Sequence, residues 1–127
     1  MPFKISTKEK FHEIQVLEHQ LSANVAAELE NTCTDLQQGP VKNIILQLTE
    51  VITAESAAAE KLVLLQQRFY EQNLSFIICD LTPQLETQLD NLNLLETLNA
   101  VPTLSEAWDM VQMEEIEREF LEEEEEE

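Results

Sequence analysis

A turn near the middle of the chain combines an acid, a hydroxyl and a run of small side chains. Glu55 and Ser56 stand in front of Ala57, Ala58 and Ala59, where an apolar strand ends and a helix is expected to begin. A hydroxyl at such a position can cap the helix or receive a phosphate. Because the first turn of a helix leaves backbone N–H groups without intrahelical acceptors, we predict that this turn is the functional end of the molecule.

The other side chains that could do chemistry do not form a pattern typical of an active site. His12 is predicted to lie on a solvated strand face and His19 in a loop, and neither is close to Ser56 in the sequence. Cys33 and Cys79 lack C-x-x-C spacing and are predicted to be buried free thiols. A chain with one glycine cannot build a glycine-rich phosphate loop. We therefore predict that the protein is not an enzyme and has neither a cofactor nor a metal site.

The charge of the chain is strongly negative and unevenly placed. The net charge is -19, 12 of the 26 acidic residues lie between positions 106 and 127, and the last six residues are all Glu. A field of this sign disfavours binding to nucleic acid or to anionic membranes. Flexible glutamates do not form the fixed oxygen cage that a hard cation needs. We expect a solubilising or charge-steering tail; attraction to a basic partner is the alternative.

The location of the protein follows from what the sequence lacks. The first residues contain no apolar segment typical of a secretory signal. No apolar run approaches the roughly 20 residues of a membrane-spanning helix. We therefore predict a cytoplasmic protein that does not insert into membranes; the sequence does not determine its oligomeric state.

Apolar periodicity divides the chain into alternating strands and helices. Strands are predicted over residues 3–7, 11–17, 43–48, 74–81 and 97–101. Helices are predicted over residues 22–38 and 56–72, from Pro83, and after Thr103. This order predicts an α/β fold, a mixed sheet of about five strands with an N-terminal hairpin and a largely parallel remainder, flanked by about four helices. Residues 1–113 would form the domain, and residues 114–127 an acidic extension that is helical and then disordered after about Leu121.

Two segments carry a resemblance to the STAS domain family of anti-sigma factor antagonists. One is NIILQLTEVITAESAAAEKLVLL, which is similar to the family's strand, its D-S-S-G turn and the helix that follows. The other is LTPQLETQLDNLNLLETLNAVPTLSEAWDMV, which is similar to the family's helix, edge strand and P-T-L-x-E-A segment. The resemblance covers about residues 3–113 and implies a STAS-like fold.

The same resemblance implies how the turn departs from the family pattern. Aligned by eye, Glu55 takes the place of the family's Asp and Ser56 that of the next residue. The serine that a partner kinase phosphorylates then falls on Ala57, and the family's glycine on Ala58. Without a hydroxyl at Ala57, the phosphorylation switch is expected to be lost. Ser56 stays an alternative candidate for phosphorylation, although Glu55 beside it would repel the added charge.

The resemblance implies a non-catalytic regulatory protein in bacterial signal transduction and transcription regulation. Its partner would be an anti-sigma factor or a related serine kinase, and the alternative is an accessory STAS subunit of a membrane transporter. Small side chains would let the partner approach the backbone closely, so Ala58→Arg is expected to weaken binding without harming the fold. The predicted contact surface consists of Thr53, Ala54, Glu55, Ser56, Ala57, Ala58, Glu60 and Lys61.

Overall fold

The computed structural model describes residues 2–126, with side chains for residues 2–121, and these form a mixed sheet between two layers of helices. The strands are β1 (Phe3–Thr7), β2 (Phe11–Val16), β3 (Gln20–Leu21), β4 (Asn43–Gln47), β5 (Thr53–Ala54) and β6 (Phe76–Cys79). The helices are α1 (Ala23–Leu36), α2 (Ser56–Glu71), α3 (Pro83–Asn91), α4 (Leu95–Leu98) and α5 (Leu104–Glu126). The predicted α/β class is confirmed.

The central sheet has four strands in the order β1-β2-β4-β6. The first two strands form the predicted antiparallel hairpin, in which Phe3 lies opposite Val16 and Ile5 opposite Ile14. Strands β2, β4 and β6 are parallel neighbours. Parallel strands need helical crossovers, which place helices on the faces of the sheet.

Alternate residues of the parallel strands point to opposite faces, and each face has its own core. Ile44 and Leu46 of β4 pack with the buried residues of α1, α2, α3 and α4. Ile45, between them, packs with Ala107 and Val111 of α5 on the other face. A strand buried on both faces must be apolar throughout, which explains the continuous apolar run in β4. Each fully buried Leu or Ile contributes roughly 1.5–3 kcal/mol to stability.

Three helices begin at hydroxyl caps. Ser22 accepts a hydrogen bond from the Val25 amide before α1, and Thr82 accepts one from the Leu85 amide before α3, both at 3.2 Å. Thr103 accepts from the Glu106 amide at 3.2 Å before α5. Each such cap is worth about 1 kcal/mol.

The ends of α2, α3 and α4 show how a chain with one glycine stops its helices. Asn73, Asn93 and Asn99 follow these helices with φ values of 60°, 61° and 49°, in the left-handed region. Asparagine tolerates this conformation better than other residues with a side chain. The amides of Leu74 and Leu94 then donate back to Phe69 and Leu89 of the preceding helices, at 2.8 and 2.9 Å.

The predicted edge strand at 97–101 is wrong. Residues Leu95–Leu98 form the short helix α4, and Asn99 ends it. Only Val101 makes a β-bridge, with Cys79, and its amide donates to the Ile78 carbonyl at 2.9 Å. A short apolar run of this length is compatible with either a buried strand or a buried helix segment. Here it forms a helix, and its buried Leu98 completes the core.

The last helix also differs from its prediction. Helix α5 continues to Glu126, beyond Leu121, where order was expected to end. Once a packed segment has nucleated a helix, each further residue adds one hydrogen bond, and this supports continuation in spite of like charges. The acidic tail was expected to solubilise the protein or to steer a partner by its charge. Glu127 and the side chains of residues 122–126, which form this tail, lie outside the described residues. The division of the chain at residue 114 stays a prediction.

Candidate functional site

The candidate site is the corner that leads from β4 into α2, and its backbone is held on one side by β3. The amides of Ile52 and Thr53 both donate to the His19 carbonyl, at 2.8 and 3.3 Å. The Glu55 amide donates to the Leu21 carbonyl at 2.9 Å. These bonds belong to the short parallel pair β3–β5, which no periodic pattern in the sequence could have indicated, because each strand has two residues.

The other side of the corner is held by α3. The Gln88 side chain accepts a hydrogen bond from the Ala54 amide at 2.9 Å and donates one to the Ala54 carbonyl at 2.5 Å. The amide side chain thus makes the two bonds that the backbone of a neighbouring strand would make. The Thr53 hydroxyl also donates to Gln88, at 3.1 Å. The sequence did not indicate that Gln88 holds the corner. The one signal for this role is its position in α3 beside Leu85 and Leu89, which face the core. The corner is therefore fixed from both sides before any partner arrives.

Exposure divides the predicted contact residues into two groups. Ala54 is 3% exposed and Ala58 is 0% exposed, so both side chains belong to the core. The expectation that Ala58→Arg would spare the fold is therefore wrong, because no space exists there for a longer side chain. The exposed members of the predicted set are Thr53, Glu55, Ser56, Ala57 and Glu60.

The N-terminus of α2 differs from those of α1 and α3. Glu55 occupies the capping position, but its side chain makes no capping hydrogen bond. The amide of Ala59 donates to the Glu55 carbonyl at 3.0 Å, as the first bond of the helix. The preceding amides carry the positive end of the helix dipole. This arrangement can receive a hydrogen-bond acceptor from a partner without displacing a side-chain cap.

Lys61 is only partly exposed, and it pairs with α1. Its ammonium lies 3.4 Å from a carboxylate oxygen of Glu30, and Arg68 lies 3.4 Å from the other oxygen. Exposed pairs of this kind contribute roughly 0–1 kcal/mol each. Their main effect is to orient Lys61 toward α1, so its charge lies at the edge of the exposed corner.

His12 and the two cysteine thiols are buried in the fold, whereas His19 is exposed. The prediction of a solvated His12 is wrong: the side chain is 6% exposed. Its Nε2–H donates to the Val41 carbonyl at 2.9 Å, since a carbonyl can only accept, and Nδ1 accepts from the Thr7 hydroxyl at 2.8 Å. Burial raises the pKa of Cys33 and of Cys79 to about 12. Both are free and buried, as predicted, and stay as unreactive thiols at neutral pH.

The aromatic side chains differ in how far they are buried. Phe69 is fully buried, and its ring centroid lies 5.2 Å from that of Phe76. Trp108 is 39% exposed, and its ring packs on Phe11 at a centroid distance of 5.3 Å. Tyr70 donates to a Glu114 carboxylate oxygen at 3.2 Å; burial, followed by this acidic neighbour, raises its pKa to about 12.

Metal-ligand groupings and membrane-spanning helices were both sought among the described residues. Among them, no three His, Cys, Asp or Glu side chains are grouped as metal ligands. None of the helices in the described part of the chain combines the length and the apolar character needed to span a membrane.

The order of elements and the corner before α2 agree with a comparison to protein families. A family profile described as the STAS domain matches residues 10–107. The chain belongs to the STAS domain family. The matched residues include the corner and α2 and end just inside α5, so most of α5 lies beyond the match. No curated protein matches the chain.

Solved structures share this STAS fold at low sequence identity. A protein of Thermotoga maritima, provisionally assigned as an anti-sigma factor antagonist, has 20% identity and a TM-score of 0.70, and the match covers 87% of this chain and 94% of that one. A Ser-to-Glu variant of RsbS from Moorella thermoacetica has 13% identity and a TM-score of 0.71, with 88% and 96% covered. The anti-sigma factor antagonist SpoIIAA, in its unphosphorylated form, has 16% identity and a TM-score of 0.68, with 87% and 96% covered. At these identities the likeness shows the fold alone.

Proposed function

We propose that this STAS domain is a regulatory protein-binding domain that acts as an anti-sigma factor antagonist. Its partner would be an anti-sigma factor of the serine-kinase type, and occupation of that partner would free a sigma factor. The structural neighbours described as anti-sigma factor antagonists support this class of function. The proposed surface consists of the exposed side chains Thr53, Glu55, Ser56, Ala57 and Glu60, with Lys61 at its edge.

One observation carries the proposal: an exposed, uncapped helix N-terminus lies on a backbone that is fixed from both sides. The corner is held by β3 and by Gln88, so binding costs little conformational entropy there. Ala57 is small and exposed, which lets a partner approach the α2 backbone closely. Glu55 and Glu60 place negative charge beside it, and such charges control association rate and specificity more than affinity.

We further propose that this domain binds its partner without a phosphorylation switch. The proposal rests on the alignment by eye, which puts Ala57 in the place of the family's phosphorylated serine, and alanine has no hydroxyl to phosphorylate. Ser56 has an exposed hydroxyl one residue earlier, but it follows Glu55 directly, and a phosphate there would meet a carboxylate. Binding would therefore depend on the amount of the protein rather than on its modification.

The partner and the surface can be tested together by NMR. The isotope-labelled protein is titrated with a kinase-type anti-sigma factor from the same cell, and backbone amide shifts are recorded. We expect the largest shifts at residues 53–61, because these amides line the proposed surface. A tight complex whose shifts lie elsewhere would contradict the proposed surface. Failure to bind any such factor, together with binding to a transporter ATPase or permease, would instead support the transporter alternative.

The absence of a switch has its own test. The protein is incubated with the kinase-type anti-sigma factor and ATP, and its intact mass is measured. We expect no gain of a phosphoryl group, whereas the Ala57→Ser variant should gain one because it restores a hydroxyl at the proposed position. A gain by the unaltered protein that Ser56→Ala removes would contradict the proposal and identify Ser56 as the acceptor.

A further inference from the structure

The outward face of α5 carries large apolar side chains that nothing in the described fold covers. Met113, Ile116 and Phe120 are 55%, 64% and 61% exposed. Their spacing of three and four residues places them on one face of the helix. Ala107 and Val111, which are fully buried, lie on the opposite face against the sheet. Single exposed apolar residues are ordinary, but an aligned set on one helix face is a feature of interaction surfaces.

Polar contacts on the inner face of α5 prevent the helix from turning this stripe inward. The buried Ser75 hydroxyl donates to Glu114 at 2.6 Å, and Arg118 donates to the same hydroxyl at 3.2 Å. The side chain of Asn43 donates to Glu115 at 2.6 Å, and Lys10 lies 3.4 Å from Glu115. Rotating the helix would break these bonds and leave buried polar groups without partners. The apolar stripe therefore stays on the outside.

The charge around the stripe indicates what can cover it. Glu117 and Glu119, both exposed, flank the apolar residues, and Arg118 is turned toward Ser75 on the inner side. The chain as a whole has a net charge of -19. A second copy would bring two such fields together, and like charges across an interface are costly. A positively charged surface gains from the same field, so charge complementarity favours a basic occupant.

We propose that Met113, Ile116 and Phe120 of α5 form a docking stripe for a basic amphipathic helix of a partner protein. Apolar side chains of the incoming helix would pack on the stripe, and its lysines or arginines would meet the flanking glutamates. This is the helix-on-apolar-surface mode of recognition, with anchors at helical spacing. The stripe lies on the opposite side of the sheet from α2, so one domain can hold two partners. It does not depend on the function proposed for the corner.

A model peptide provides a direct test. The probe is a fluorescein-labelled amphipathic helix built from leucine and lysine only, and binding to the full chain is followed by fluorescence anisotropy. We expect the double variant Ile116→Ser with Phe120→Ser to bind the probe about tenfold more weakly, because it loses apolar contact area. The matched control is Leu64→Ser, which removes a 59% exposed apolar side chain from α2 and should leave the affinity unchanged.

Three results would overturn the proposal. The first is equal binding by the unaltered protein and the double variant, which would mean that the acidic charge alone attracts the probe. The second is equally tight binding of a peptide built from leucine and glutamate. The third is sedimentation of the unaltered protein as a dimer that the double variant dissociates, since a second copy would then occupy the stripe. Thermal unfolding of each variant shows that the fold is intact, as expected for exposed positions.

Discussion

Ala58→Arg is expected to prevent stable folding, whereas the same substitution one residue earlier is not. Ala58 is 0% exposed and lies in the core between α2 and the sheet. An arginine there would overpack the core and bury a charge without a partner. Costs of this kind exceed about 4 kcal/mol, a large part of the 5–15 kcal/mol that stabilises a typical domain. Circular dichroism during heating should show no cooperative transition, or one at a much lower temperature.

Ala57→Arg is the matched control for this prediction. Ala57 is exposed at the first turn of the same helix, so an arginine there can extend into solvent. Its melting temperature should stay within a few degrees of that of the unaltered protein. Similar melting temperatures for both variants would contradict the packing of α2 described above, because they would mean that residue 58 also faces solvent.

Local patterns in the sequence predict most of the fold. The apolar run at residues 43–48 predicts a strand, and the structure confirms it as β4, with Ile44 and Ile45 in separate cores. Each helix cap at Ser22, Thr82 and Thr103 bonds to the amide three residues later in the chain. Such a cap depends only on neighbouring residues, so the sequence alone indicates it. Signals of this kind depend on a few consecutive residues, which is why they can be read without a structure.

Features that depend on distant contacts were missed. The pair β3–β5 joins residues more than thirty positions apart, and two residues are too short for a periodic pattern. His12 looked solvated because it alternates with apolar residues, but the Val41 carbonyl, brought close by folding, makes burial favourable. Predicting either feature from one sequence would require the tertiary fold first.

The corner before α2 was predicted as a turn between a strand and a helix, but the packing of its residues was not. A strand that ends before a helix indicated the corner, and the structure places an exposed, uncapped N-terminus there. The sequence could not separate Ala57 from Ala58, since both are alanines in the same turn and only packing shows which one faces the core. Gln88 was missed because the strand-like bonds that it makes to Ala54 come from another helix.

Ala57→Arg is expected to weaken partner binding about 100-fold, which corresponds to roughly 2.7 kcal/mol. The proposed partner must approach the α2 backbone at this small residue, and a long side chain would hold the two surfaces apart. The loss should appear mainly in the dissociation rate, because most changes at an interface do. The matched control is Gln112→Arg, which places the same side chain at an exposed position of α5, on the other side of the sheet.

Calorimetric titration of a kinase-type anti-sigma factor with the unaltered protein, Ala57→Arg and Gln112→Arg tests the proposed docking surface. We expect measurable binding by the unaltered protein, nearly the same affinity for Gln112→Arg, and a loss of about two orders of magnitude for Ala57→Arg. Equal affinities for all three proteins, with the two variants fully folded, would contradict the claim that the corner before α2 is the docking surface.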